Sequence, residues 1–398
     1  MCNFRFLCPV GKGGFDIECI DGTTIVFDCG STPKTNVNNW IQHYKHMFER
    51  HDIQTDIDYV FISHFDLDHV NGLEELSKNF KIHNIVVPYI PRRYRVIYNF
   101  VSDFAVTKFN NILTNNFSNT KLLGLKYQTK YQSIKSVNKK WEWIFKSLFS
   151  SSQWETLRRT LQGEGIFDDN ITYDDDNFFL NEEDKKSNVK SWEQEIESAK
   201  SCWNNNKESN DQIIEPESFS IDKFDIESYE INLTDEKIKK INDAIGEFVH
   251  SGKQKACAKN ENGLMMLSKK CENTNIRNVH TFSNPYRYPF INNFCFNDVC
   301  SACLYTGDMR FDLKSCPTIL DFLKMTNEEL LLFQIPHHGS SHNTNISDLI
   351  PIPTRYFFLH DNDYKRIKKI ITPSSLPLNK PIIVIDTVLG FFCEILIS

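Results

Sequence analysis

The chain has 398 residues, with 45 Lys or Arg against 52 Asp or Glu and a formal net charge of −7. That length suffices for a sizeable core or for two ordinary domains. The acidic balance excludes a protein that holds nucleic acid by net positive charge alone.

The N-terminus, Met1-Cys2-Asn3-Phe4-Arg5-Phe6, lacks the charged and apolar regions of a signal peptide. The turn Val10-Gly11-Lys12-Gly13 precedes an apolar strand, Thr24-Ile25-Val26-Phe27, that ends in Asp28-Cys29-Gly30. A second apolar run, Tyr59-Val60-Phe61-Ile62, reads as a buried strand and leads into Ser63-His64-Phe65-Asp66-Leu67-Asp68-His69. Four side chains there, His64, Asp66, Asp68 and His69, can ligate metal within six residues. Imidazole suits zinc and carboxylate suits harder ions such as manganese. His83, inside Lys81-Ile82-His83-Asn84-Ile85-Val86-Val87, reads as a structural histidine on a strand.

Residues 92–145 are poor in acids and rich in cations, among them Arg92, Arg93, Arg95, Lys126 and Lys140, with Tyr94, Tyr98, Phe109, Trp141 and Trp143 interleaved. Such a segment either tracks a phosphate backbone and stacks bases or forms an amphipathic helical layer with the aromatics in the core. The helical layer is the expectation. From Glu164 to Asp235 the acids dominate, as in Asp174-Asp175-Asp176 and Glu182-Glu183-Asp184, and a mobile, solvated segment is expected.

Further on, Cys303-Leu304-Tyr305 is a strand ending in Thr306-Gly307-Asp308, and Leu331-Leu332-Phe333-Gln334-Ile335-Pro336 is another, ending in His337-His338-Gly339-Ser340. Sites in layered α/β proteins gather where strand ends converge. Tyr356-Phe357-Phe358-Leu359 ends in His360, either near that convergence or on a surface loop. Cys300 and Cys303 lie three apart, a spacing that turns strand side chains to opposite faces and disfavours a zinc half-site. The twelve cysteines are scattered, as in a reduced cytoplasmic protein. No stretch reaches the roughly 18 apolar residues of a membrane span, so no membrane partner is expected.

In order, these pieces resemble the metallo-β-lactamase superfamily and, within it, the soluble hydrolase domain of ComEC-type DNA-uptake proteins. The superfamily's His-x-His-x-Asp-His stands here as His-x-Asp-x-Asp-His, with Asp66 in place of the second histidine, as in the ComEC-like branch. Asp28-Cys29-Gly30, Val10-Gly11-Lys12-Gly13, Thr306-Gly307-Asp308 and Pro336-His337-His338-Gly339-Ser340 match further motifs of that branch. Asn260 to Leu267 is similar to the strand that opens its second half. Two features depart from the pattern: no motif surrounds His83, His250 or His280 that would make one the usual intermediate histidine, and the Gly-His-Pro expected near the C-terminus is missing.

The resemblance implies an α/β (α+β) protein with an αββα sandwich. Residues 1–92 and 256–398 would form the hydrolase domain in two halves. Residues 93–255 would form an insertion or cap, mainly helical, with a mobile acidic part. It implies two divalent ions, zinc or manganese. His64 and Asp66 would hold the first, Asp68 and His69 the second, and Asp308 would bridge them. His338, rather than His337, would complete the set, and Asp28 would fix a ligand from behind. Asp68 and Asp308 would then serve catalysis, Asp68 by orienting a metal-activated hydroxide. The activity implied is that of a free-standing, metal-dependent hydrolase, a phosphodiesterase or nuclease acting on DNA or RNA, with Arg92, Arg93 and Arg95 against the substrate. Hydrolysis of a small molecule (a cyclic nucleotide, phosphonate or lactone) under the insertion as a lid is the alternative, and a metal-stabilised interaction module is a third.

Overall fold

The computed structural model describes residues 3–50, 56–88, 105–117, 119–124, 131–147, 192–202, 213–219, 236, 239–240, 263–272, 274–283, 294–296, 300–309, 317–326, 328–340, 349–363, 382–387 and 390–397. The first elements are β1 (Phe4–Leu7), β2 (Lys12–Ile20), β3 (Thr23–Thr32), α1 (Lys34–Arg50), β4 (Ile57–Phe61), α2 (Leu67–Val70), α3 (Leu73–Asn79) and β5 (Ile82–Val87). Next come α4 (Ala105–Asn116), β6 (Lys121–Gly124), β7 (Tyr131–Lys135), β8 (Trp141–Ser147), α5 (Trp192–Cys202), β9 (Ile213–Ile214) and β10 (Glu217–Phe219). The last are β11 (Leu264–Lys270), β12 (Ile276–Ser283), β13 (Phe294–Phe296), β14 (Cys303–Tyr305), α6 (Pro317–Thr326), β15 (Leu330–Gln334), β16 (Thr354–His360), β17 (Ile382–Ile385) and β18 (Phe391–Ile397).

The strands form two mixed sheets. One runs β10-β6-β5-β4-β3-β2-β1-β18-β12-β13 and the other β17-β16-β15-β14-β11-β8-β7-β9. The first is parallel from β3 to β6, and the second is parallel from β14 to β17. Strand alternation assigns each side chain to a layer. In β3 to β5, Ile25, Phe27, Phe61 and Val86 point into the core between the sheets, while Val26, Val60 and Ile85 point to the outer core. There they meet α1, whose Val37, Trp40, Ile41, Tyr44 and Phe48 form a single apolar stripe at helical spacing. On the second sheet, Trp143, Phe145, Met266, Tyr305 and Phe358 face inward, and Ile144, Leu267, Leu304 and Phe357 face α5 and α6. Each such buried aromatic or aliphatic side chain contributes about 1.5–3 kcal/mol by leaving water. The result is helix, sheet, sheet, helix, the layering the sequence led us to expect.

A polar cluster also joins the two sheets. Arg5 of β1 is fully buried, pairs with Glu18 of β2, and donates to the Ser301 carbonyl and to Ser268 Oγ, both at 3.1 Å. Glu18 also accepts from Trp143 Nε1 and Ser268 Oγ at 2.6 Å and from Tyr305 OH at 2.8 Å. Both charges are thus hydrogen-bonded on all sides, which such a pair needs in a low-dielectric interior.

Residues 93–255 differ from the mainly helical cap that was expected. Their described part holds two helices, α4 and α5, and five strands, β6 to β10, that are built into the two sheets. β8 is a central strand, paired along its length with β11. Its Trp141, Trp143 and Phe145 alternate with Glu142, Ile144 and Lys146, a period of two that buries the aromatics between the sheets. The aromatic residues Phe109, Tyr131, Trp141 and Trp143 are core, as the layer reading required, but mostly on strands. Arg92, Arg93, Arg95, Tyr94, Tyr98, His250 and the acidic segment apart from residues 192–202 and 213–219 lie outside the described residues.

Candidate metal centre

β4 runs into Ser63 and His64, and the chain then turns through α2, which carries Asp68 and His69. That loop is pinned to the end of β3. Asn71 donates to the Ser31 carbonyl at 2.9 Å and accepts from the Ser31 amide at 3.1 Å, and the Gly72 amide donates to the Cys29 carbonyl at 2.8 Å. Gly30 permits the approach, since a Cβ there would lie 2.5 Å from the Asp68 carbonyl carbon.

From the second sheet, β14 delivers Thr306-Gly307-Asp308. The Thr306 and Gly307 amides both donate to Gln334 Oε1, at 2.8 and 2.9 Å, so the end of β15 shapes the loop that carries Asp308. Gly307, at φ +57°, packs where a Cβ would meet Ser63 Cβ at 2.6 Å. After β15 the chain makes a 3-10 turn over His337–Gly339, with His337 and His338 at φ 50° and 52°. Non-glycine residues occupy that left-handed region at a cost and do so most often at functional positions.

Three of the buried histidines share one arrangement. His69 Nδ1 lies 2.8 Å from Asp28 Oδ2, His64 Nδ1 lies 2.9 Å from Ser63 Oγ, and His338 Nδ1 lies 2.6 Å from the His360 carbonyl. Ser63 gives its single hydroxyl proton to Asp28 at 2.7 Å, so it accepts from His64. In all three rings Nδ1 is the donor and Nε2 is turned inward. The Nε2 atoms of His64, His69 and His338 are buried with no hydrogen-bond partner. Leaving one such atom unsatisfied costs about 1–3 kcal/mol. Yet all three converge on Asp308: His69 and His338 at 3.5 Å and His64 at 3.9 Å from its oxygens. An imidazole fixed through Nδ1 with a bare Nε2 is the arrangement of a metal ligand.

Two groups of ligand atoms, each within 4.8 Å of one another, emerge: His64 with His69 and Asp308, and Asp68 with His69 and His338. His69 belongs to both, a different division from the pairing of His64 with Asp66 and Asp68 with His69 that the resemblance implied. Asp66 Oδ2 stands 3.8 Å from His64 Nε2, is partly exposed, and is in neither group. His337 is likewise outside both, although its Nδ1 lies 3.2 Å from Asp308 Oδ2. Asp28 lies behind the ligands, where its Oδ1 also accepts from the Ser63 amide at 2.7 Å. Lys12, half-exposed at the rim, places Nζ 3.3 Å from Asp68 Oδ2.

His83 is not part of the site; its Nε2 is 3.0 Å from Asp56 Oδ2, where β4 begins, at the opposite end of that strand from His64. His280 lies on β12, beyond β18 and away from the ends of β3 and β4. Cys300 and Cys303 join no metal-capable group among the described residues. Two residues that sequence reasoning left out shape the site, Gln334 and Asp16. Of the two places open to His360, the structure gives the one near the convergence, where it is buried.

The electrostatics follow from burial and proximity. Burial opposes charge on His69, but Asp28 and Asp308 outweigh it and hold its pKa well above the ordinary value. Burial pushes His64 down, helped by His69, and pushes His337 and His338 down despite Asp308. Asp308 is driven well below the usual carboxylate range, because His338, His69 and His337 outweigh the effect of its burial. A donor set of imidazole nitrogens and carboxylates suits zinc or manganese, and the residues present fit divalent ions.

Residues 17–101 match a family model described as the metallo-beta-lactamase superfamily. Among solved structures, the metallo-beta-lactamase fold protein YhfI from Bacillus subtilis aligns with 98% of this chain and 99% of its own, at 8% identity and a TM-score of 0.40. None of the curated proteins compared matches the chain.

Proposed function

We propose that the chain is a metal-dependent hydrolase whose substrate is an anionic phosphodiester, with DNA or RNA the first class to test. One observation carries the metal dependence: three buried Nε2 atoms, each lacking a partner and each fixed by a bonded Nδ1, meet at Asp308. His64, His69, His338, Asp68 and Asp308 would hold the ions. Divalent ions bound there supply Lewis acidity, which lowers the pKa of water and offsets charge on a phosphoryl oxygen. Asp28, Ser63 and the His360 carbonyl keep the ligands in the tautomer that binds. Lys12 presents a cation beside Asp68 at the open rim, where a non-bridging phosphate oxygen would find it.

A second reading has its own support. Phe109, Tyr131, Trp141 and Trp143 are buried in the core and are not presented for base stacking. This favours a small phosphodiester such as a cyclic nucleotide over a long strand.

The test is to incubate zinc- or manganese-loaded protein with single-stranded DNA, duplex DNA, RNA, a cyclic nucleotide, a chromogenic phosphodiester and a neutral lactone. Lys12→Gln should reduce kcat/KM on phosphodiesters roughly tenfold or more, as loss of a charge-assisted contact implies, and should leave its metal content intact. Cleavage of the lactone alone would sink the phosphodiester reading.

A further inference from the structure

A buried contact behind the site, between Asp16 and His360, has no part in the ligand groups. His360 ends β16, and its Nε2 lies 2.9 Å from Asp16 Oδ1 and 3.2 Å from Oδ2, with both side chains 1% exposed. Asp16 is on β2 of the first sheet, paired with Phe27, the residue before Asp28. The pair therefore spans the two sheets just below the metal centre. Such a contact is weak evidence for stability, because the desolvation of its buried polar groups offsets what the contact gains. The two sheets are also joined by the apolar core between them and by the Arg5–Glu18 cluster. Its placement is informative for another reason: the carbonyl of His360 itself accepts the Nδ1 proton of His338 at 2.6 Å.

His338 needs such an anchor more than the other ligands do. His69 and His64 are held by Asp28 and Ser63 on the strand and loop that precede them. His338 sits on a left-handed turn at φ 52°, where its backbone does not rest in a broad minimum. The direction of its ring is set by one carbonyl from another strand. That carbonyl belongs to the last residue of β16, next to an amide, Asp361 N, that bonds the Ile385 carbonyl at 3.1 Å. That bond, with the pairing of His360 to Ile385, holds the peptide from β17, and the Asp16 contact holds it a second time through the side chain of residue 360.

We infer that Asp16 and His360 are positioning residues for the metal ligand His338. Asp16 clamps the His360 side chain, the clamped residue presents its carbonyl at a fixed place, and the carbonyl holds His338 with Nε2 aimed at the ion. The inference rests on the metal-centre reading above and not on the identity of the substrate.

The test measures zinc affinity of metal-free protein by competition with a chromogenic chelator, in the parent, Asp16→Asn, His338→Asn and the double variant. Partners behind a metal ligand typically carry a tenfold or greater share of affinity. Asp16→Asn should therefore weaken one of the zinc sites by about tenfold. The double variant should be no weaker at that site than His338→Asn alone, because the two residues act through one contact. His360→Gln, which keeps a donor for Asp16, should retain most of the affinity, and His360→Leu should not. A purely structural pair would lower the unfolding midpoint of the metal-free protein and leave zinc affinity unchanged. That result, or additive losses in the double variant, would overturn the inference. If Asp16→Asn does not fold, Asp16→Leu combined with His360→Leu removes the pair without stranding a charge, and the same comparison applies. A parent that binds no zinc would refute the metal centre itself, an outcome distinct from failure of the clamp.

Discussion

Replacing Asp28 with Asn removes a charge from the metal centre without removing an atom's worth of volume. Asp28 accepts three hydrogen bonds: from the Ser63 amide at 2.7 Å through Oδ1, and from Ser63 Oγ at 2.7 Å and His69 Nδ1 at 2.8 Å through Oδ2. An Asn offers one acceptor and one donor group in that space. With its nitrogen toward His69, the ring must accept at Nδ1 and carry its proton on Nε2, the atom that should bind the ion. With its nitrogen toward Ser63, two donors face each other at 2.7 Å. Either orientation disrupts a contact that orients a ligand, and such changes cost 10–100-fold in metal affinity, or about 1.4–2.7 kcal/mol. Zinc titration against a chromogenic chelator reads this directly. Calorimetry in buffers of different ionisation enthalpy adds a second readout. The parent should release the proton that Asp28 and Asp308 hold on His69, and Asp28→Asn should release less. Unchanged affinity together with unchanged proton release would refute the assignment of His69 as a ligand fixed by Asp28.

Three further outcomes are expected. Glu18→Ala leaves Arg5 buried and charged without its partner, so urea unfolding of the metal-free protein should show a loss of about 3–5 kcal/mol; a loss under about 1 kcal/mol would mean that water reaches Arg5. His338→Ala should remove one equivalent of bound zinc by elemental analysis, whereas His337→Ala, which lies outside both ligand groups, should keep full occupancy. The unfolding midpoint of metal-free protein should peak near pH 6.5. Below that, His64, His337 and His338, whose folded pKa values are lowered, take up protons more readily when unfolded, so stability falls as pH drops through their folded values. Above it, the contribution of His69, whose folded value is raised, is lost as pH climbs through that value. Saturating zinc should abolish the alkaline decline, and a metal-free midpoint that rises steadily from pH 6 to 9 would contradict this account.

The parts of the site legible in the sequence are those in which neighbours in the chain are neighbours in space. His64, Asp68 and His69 share a loop after an apolar strand, and Asp308 and His338 each follow an apolar strand of their own. Runs such as Tyr59-Val60-Phe61-Ile62 declare buried strands, whereas the two-sheet layering was implied by the family resemblance that the motifs at their ends carry. What decides the orientation of His338 was not legible, because its partner is a carbonyl 22 positions away on another strand. Gln334 was equally silent: a glutamine at a strand end carries no mark that its side chain will accept two amides from a neighbouring loop. The strand at residues 141–147 did carry a signal. Trp141, Trp143 and Phe145 alternate with residues that face the other way, but the density of lysines and aromatics around them read as composition, and the period of two was overlooked.

The distribution of the candidate ligands over the two sheets has a consequence for how the protein holds its shape. His64, Asp68 and His69 hang from the end of β4 in the first sheet, and Asp308 and His338 from the ends of β14 and β15 in the second. An ion bound by both sets is a cross-link between layers. Elsewhere the layers are joined by apolar packing and by the Arg5 and Glu18 cluster, which lies among β1, β2, β8, β11 and β14. Without metal, the site end brings Asp68 and Asp308 together among His69, His337, His338 and Lys12. Ion binding replaces that arrangement with direct bonds, so stability gained on loading should follow ion concentration as RT ln(1 + [ion]/Kd), about 2.7 kcal/mol at a hundredfold excess over Kd. A variant that weakens binding without touching the core, such as Asp28→Asn, should lose part of that increment in proportion to the logarithm of its change in Kd. Glu18→Ala should lower the metal-free baseline and leave the increment in place. The two ways of joining the sheets are then separable in one titration series, one set by the ion and the other by the interior.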